Sequence, residues 1–212
     1  MLKTRGLVAC VGVVVGLAGG CGGGKGAATD ARAQDDATDG PFRIICLGKT
    51  KTAAIPPTPV AGKLIWTSSG TYQPPQAITP DQICQGEKPA SVTTAAALID
   101  YSTRSHAAVL SPTAKYYRVD GTLVGTGDQL ATVTNLESGL WQDAAGNYLG
   151  PVNVGTGGGV GPFAGTCGDW TSSTGMVAGG DITDPRGEQW WRAVSFPCAT
   201  MDVRFYCVQT AP

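Results

Sequence analysis

Side-chain chemistry near neutral pH draws first on histidine, cysteine and convergent carboxylates. The chain of 212 residues supplies one histidine, seven cysteines and sixteen acidic residues. His106 stands in TRSHAAVL, and no GxSxG elbow accompanies it. It therefore reads as a structural or surface residue rather than a triad base, and a zinc site would need clustered partners that the sequence lacks. Asp181, Asp184 and Glu188, in GGDITDPRGEQWW, form the densest acidic group of the folded part. Calcium requires oxygens converging from one loop, and this spacing is not that of an EF-hand, so a solvated loop is expected. The scattered carboxylates nominate no glycosidase pair. GTGGGVGPFAG, 155–165, lacks the Lys-Ser/Thr that completes a phosphate loop and reads as a glycine-rich loop. No catalytic residue, metal or cofactor is expected, and the chain reads as a non-enzyme.

Tryptophans offer a different chemistry, because an indole face can stack on a ligand. Trp66, Trp141 and Trp170 are expected in the core. Trp190 and Trp191 are adjacent, so on a strand they point to opposite faces, leaving one exposed. With Asp184 and Arg186 beside it, that indole would form a ligand platform. Trp190, Trp191, Asp184 and Arg186 are therefore the candidate binding residues, and simple packing of both rings is the competing reading.

The positioning elements begin after a long non-globular start. Lys3 and Arg5 precede an apolar run from Leu7 to Ala18 and small residues up to Cys21, the layout of an export signal over residues 1–20. The run is shorter than the roughly 20 apolar residues of a bilayer span and is rich in glycine, which favours transit and cleavage. Residues 21–41 contain no large aliphatic or aromatic side chain before Phe42 and read as a disordered tether reaching roughly 25 Å. Residues 42–62 supply a short strand, FRIICLGK, and a proline-rich extended spacer, IPPTPVAG. The remaining segment, 63–212, is long enough for one domain with its own core. The net charge of −1 gives no electrostatic case for nucleic acid.

Within the domain, KLIWTSS, 63–69, reads as a strand. Thr79 with Pro80 and Gln82 forms a helix start with a capping box, and the helix carries Cys84 and stops near Gly86. AAALIDYS, 95–102, fits strand or helix. Asp120-Gly121 between alternating residues marks a hairpin. Residues 136–180 are too rich in glycine, serine, threonine and asparagine for long regular elements, and MDVRFYCV, 201–208, has the period of a strand. Outside Cys10 and Cys21, five cysteines remain: Cys46, Cys84, Cys167, Cys198 and Cys207. In an exported chain they are expected to pair, and two bridges plus one free thiol can be drawn in about 15 ways.

LAGGC at 17–21 resembles the lipobox of bacterial lipoproteins, with Leu17 one place further from Cys21 than usual. The resemblance implies a lipid on Cys21, membrane attachment through it and, since Gly22 rather than aspartate is the next residue, the outer membrane. A plain secretory signal is the second reading. From Lys63 to Gln209 the chain resembles the endostatin-like domain of leptospiral surface lipoproteins, a branch of the C-type-lectin-like fold. The similarity rests on KLIWTSSGTY, DQICQGE, LSPTAKYYRVDGTLVGT, CGDWTSS and PCATMDVRFYCVQ. It implies an α+β, β-rich fold with one or two short helices and long disulfide-pinned loops. It implies the bridges Cys84–Cys207 and Cys167–Cys198, with Cys46 left over. The Glu-Pro-Asn, Gln-Pro-Asp and Trp-Asn-Asp motifs by which true C-type lectins hold calcium and sugar are absent from the sequence. The resemblance implies a surface-exposed, non-catalytic binding or adhesion module for a glycan or extracellular-matrix-like macromolecule. A structural envelope lipoprotein without a diffusible ligand is the alternative. The anchor is testable in cells: wild type should incorporate labelled palmitate and show globomycin-sensitive processing. Cys21→Ala should lose both, and their persistence would refute the anchor.

Overall fold

The computed structural model describes residues 61–159 and 165–210. All the described residues belong to one compact unit. The expected signal, Cys21 anchor, tether, Cys46, FRIICLGK strand and most of the proline-rich spacer lie outside the described residues. So do residues 160–164 of the glycine-rich loop. No helix among the described residues is long and apolar enough to cross a membrane.

The architecture is α+β. The elements in order are β1 (Lys63–Thr67), α1 (Pro80–Glu87), β2 (Ala95–Ala97), a 3-10 turn (His106–Val109), β3 (Lys115–Tyr117), β4 (Leu123–Thr126), α2 (Gly127–Ala131) and β5 (Asn153–Gly155). They are followed by α3 (Cys167–Trp170), β6 (Met176–Asp181), α4 (Gly187–Arg192), β7 (Val194–Pro197) and β8 (Tyr206–Gln209). One sheet has the order β2-β8-β1-β3-β4 and the other β5-β6-β7. The last strand thus lies between two early ones, antiparallel to both, with Cys207 opposite Trp66 on β1 and Ala97 on β2.

This central position explains the sequence pattern at the C-terminus. Val203, Phe205 and Cys207 enter one core cluster with Trp66, Ala97, Trp170 and Cys84. Tyr206 and Val208 enter another with Ile65, Leu98, Trp190 and Trp191. Alternate residues of a strand face opposite sides, so a segment buried on both sides is apolar at nearly every position. The expected strand over 201–208 is shorter than its periodicity. Its ladder begins at Tyr206, whereas Val203 and Arg204 form single bridges to Tyr72 and Val154. The alternation survives because the side chains still pack in turn on the two clusters.

Local signals act as the sequence implies. The Thr79 hydroxyl accepts from the Gln82 amide at 3.3 Å and the Gln82 side-chain oxygen accepts from the Thr79 amide at 2.8 Å. Two otherwise unpaired donors at the start of α1 are thereby satisfied. The helix continues through Gly86 to Glu87. AAALIDYS resolves as strand for its first three residues. β3 and β4 form the expected antiparallel hairpin, and Gly121 takes φ +82° at its turn, a conformation that glycine adopts without a steric penalty.

Helix is more frequent than the one or two elements expected. α2 has its own capping box, Thr126 with Gln129, hidden in the sequence because it comes directly after a strand. α3 is a single turn in which Cys167, Gly168, Asp169 and Trp170 all have positive φ. α4 lies so close to β6 that a Cβ on Gly180 would stand 1.8 Å from the Trp190 carbonyl oxygen.

Two disulfides close the domain: Cys84 on α1 to Cys207 on β8, 123 residues apart, and Cys167 on α3 to Cys198, 31 residues apart. This is the pairing the resemblance implies. In the chain-entropy account the longer loop contributes about 5 kcal/mol and the shorter about 4. The Cys84→Ala/Cys207→Ala variant should therefore lose about 1 kcal/mol more unfolding free energy than Cys167→Ala/Cys198→Ala. Urea titration of both measures the difference, and the reverse order would contradict the assignment of the longer bridge as the dominant cross-link.

Candidate functional site

The segment between β2 and the 3-10 turn, Asp100 to Ser105, runs along the surface and is fixed from four directions. Its own turn is closed by the Tyr101 amide donating to the Arg104 carbonyl at 2.8 Å. On the α1 side, the Arg104 guanidinium donates two bonds to the Asp81 carboxylate, at 2.8 and 3.0 Å. Such a forked pair fixes direction as well as distance. The same guanidinium lies 4.7 Å from the centre of the Tyr101 ring, within cation–π range.

On the α3 side, Asp169 accepts from the Ser102 amide at 2.6 Å and from the Ser102 hydroxyl. The left-handed turn of α3 aims this carboxylate: Thr166 caps it by accepting from the Asp169 amide at 3.1 Å. The Trp170 indole donates to the Asp100 carbonyl at 3.0 Å. At the far end His106 is buried, its Nδ1 2.8 Å from Asp100 Oδ1 and its Nε2 3.2 Å from the Ala131 carbonyl of α2. The Trp191 ring lies 4.2 Å from it, centre to centre. Both ring nitrogens are thus engaged by acceptors, and the histidine has the structural place expected of it.

These ties leave an open trough. One part, of about 650 Å³, is lined by Asp100 to Ser105 with Gly157, Gly165 and Thr166. The adjoining part, of about 290 Å³, is lined by Thr79, Asp81, Tyr101, Thr103 and Arg104. The larger part has the volume of a small-molecule site, although such sites are usually more apolar. Burial pushes the Tyr101 phenol up to about 12, reinforced by the Asp81 charge and opposed by Arg104, so it is a neutral donor at all ordinary pH. The Ser102 hydroxyl and amide hold the Asp169 carboxyl below its usual range. Burial raises Asp100, but the His106 ring and amide and the Ser105 hydroxyl outweigh it and leave the group lowered overall.

The expected tryptophan platform is corrected by the structure. Residues 187–192 form α4 rather than a strand, and both Trp190 and Trp191 turn inward, only 1% and 2% exposed. Trp190 donates to the Thr134 carbonyl at 3.0 Å and packs against Tyr206. A helix can bury two consecutive residues when its short length is covered by two neighbours, here the Tyr206 side of the core and the His106 turn. Arg186 and Asp184 do pair, with Nε 2.9 Å from Oδ1. The bonds from Arg186 hold Asp184 down at about 2. The pair is an exposed surface contact with no open indole beside it, and such pairs contribute little to stability. Asp181 accepts from the Thr183 amide at 2.8 Å and Glu188 pairs with Arg192, so the acidic loop is satisfied locally. Among the described residues no group of three or more potential ligands is placed to hold a metal. Trp66 and Trp170 are core residues, and Trp141 is half-buried under the Arg118 guanidinium.

No family model, curated protein or solved structure matches the chain. The trough residues Tyr101, Ser102, Thr103 and Thr166, and Asp169 that holds Ser102, are not nominated by sequence. The one signal there is the polar run Ser102-Thr103-Arg104-Ser105, which is indistinguishable from an ordinary loop until its partners are known.

Asp100 links the trough to the core, and its depressed carboxyl makes that link pH-dependent. A folded-state value below the unfolded value of about 3.9 means that the stabilisation is complete above that pH and is lost as pH falls through the folded value. Asp100→Asn should lower unfolding free energy by about 1–2 kcal/mol at pH 7. The gap from wild type should close as pH falls below about 4, as read by urea titration across pH. A gap that persists undiminished at about pH 2 would contradict the charge-based account.

Proposed function

We propose that this chain is a lipid-anchored protein of the bacterial outer membrane that displays a non-catalytic binding or adhesion domain of the C-type-lectin-like, endostatin-like type at the surface. The observation that carries the reading is the trough between α1 and α3. Its walls are held by side-chain bonds on both sides and by a disulfide behind each helix, so it is preformed, and preformed sites bind without a large ordering cost. Its chemistry is that of recognition. Hydroxyls, backbone, the Tyr101 ring and charges already paired with one another line it, while the single histidine has both nitrogens occupied. The short first helix bonded to the last strand and the second bridge between loops also favour the lectin-like reading, and the LAGGC motif favours display from the membrane. Fold alone does not assign function, so the binding claim rests on the trough.

Arrays of glycans and extracellular-matrix proteins probed with the detergent-solubilised full chain test this reading. Saturable, selective capture is expected. Silence across both arrays would favour a structural envelope lipoprotein without a diffusible ligand.

A further inference from the structure

Building on the binding-module reading, we propose that the trough at Tyr101–Ser105 is a metal-independent site for an uncharged saccharide chain. The ligand class is set by which groups are spent and which remain. Of the charged side chains at the trough, Arg104 is committed to Asp81 by two bonds and covers one face of the Tyr101 ring. Asp100 is committed to His106, and Asp169 to Ser102. Among the described residues lining the trough, no uncommitted cation stands ready to neutralise a sulfate or carboxylate. Asp81 and Asp100 line the trough against one guanidinium, with Asp169 behind Ser102, a balance that disfavours an anion, and the described residues as a whole carry more acidic than basic side chains.

What faces a ligand is polar, with its charged side chains already partnered. Thr103, on an exposed turn, lines both parts of the trough; Ser105 and Thr166 border the larger one, and their hydroxyls, already bonded to the Ala107 and Asp169 amides, each keep an acceptor lone pair. The paired carboxylates keep lone pairs free, since each oxygen can accept more than one bond. Such a surface matches a ligand rich in hydroxyl donors and acceptors. It offers little to a peptide side chain that needs an apolar pocket or a counter-charge. Because Tyr101, Thr103 and Arg104 line both parts, the two are contiguous, and their volumes of about 650 and 290 Å³ leave room for more than one sugar unit.

The test titrates the detergent-solubilised full chain with cello-, malto- and chitotetraose and with a heparin tetrasaccharide, by calorimetry, with and without chelator and about 0.5 M salt. At least one neutral tetrasaccharide should bind, chelator should leave the affinity unchanged, and added salt should alter it by less than about twofold, because no ion pair is formed. Thr103→Arg, which fills the trough from an exposed position, should weaken binding at least tenfold with the thermal midpoint unchanged. Thr103→Ser, which keeps the hydroxyl, should stay within about threefold of wild type. Neutral-sugar binding that is indifferent to Thr103→Arg overturns the site, and binding of heparin alone, or loss with chelator, overturns the ligand class. Capture of a matrix protein with no binding of any neutral tetrasaccharide overturns this inference while leaving the binding-module reading standing; silence in both experiments overturns both.

Discussion

The structure depends on where its last strand is placed. β8 lies between β2 and β1, so the sheet is complete only after the C-terminus has been inserted between segments more than a hundred residues earlier. Closing so long a loop is entropically costly, and the strand is only four residues long. Its stability comes from burial on both faces and from the Cys84–Cys207 bridge, which ties it to α1. Without that insertion the two core clusters would each lose a wall, Phe205 and Cys207 from one and Tyr206 and Val208 from the other.

From this closure the trough is built. α1 is held by Cys84, and α3 is held by Cys167 through Cys198. Each helix then offers one aspartate, Asp81 or Asp169, to the loop that leaves β2. The loop contains no regular structure of its own, yet its shape is set at both walls by charge-assisted hydrogen bonds and at its end by the Asp100–His106 contact. A surface loop fixed in this way can present hydroxyls in constant positions, which is the property a binding surface requires. The two consecutive tryptophans serve the same end from inside: Trp191 backs the His106 ring, and Trp190 supports Tyr206.

Much of this architecture is legible in the order of the residues. The Thr79 capping box and the Asp120-Gly121 hairpin depend on interactions within a few residues, and each stands where its local chemistry places it; the alternating C-terminal run is legible too, but its long-range partners confine the ladder to Tyr206–Gln209. The tryptophan pair defeats a local reading because six residues that suit a short helix also suit a strand; close packing on Gly180 decides for helix. The trough is hidden for a different reason. Its bonds join residues 23 and 67 positions apart, Arg104 to Asp81 and Ser102 to Asp169, and each partner taken singly is an ordinary polar loop residue. Only the tertiary arrangement reveals that the charged side chains are partnered while Thr103 stays exposed at the open space.

The central claim, that this fixed loop is where the protein meets its ligand, is tested most directly by hydrogen–deuterium exchange of the full chain with and without saturating neutral tetrasaccharide. The account predicts slowed exchange in peptides covering residues 101–105 and 165–170, with no change across α4. Protection centred on residues 184–192, or none at either trough wall while sugar is bound, would contradict it.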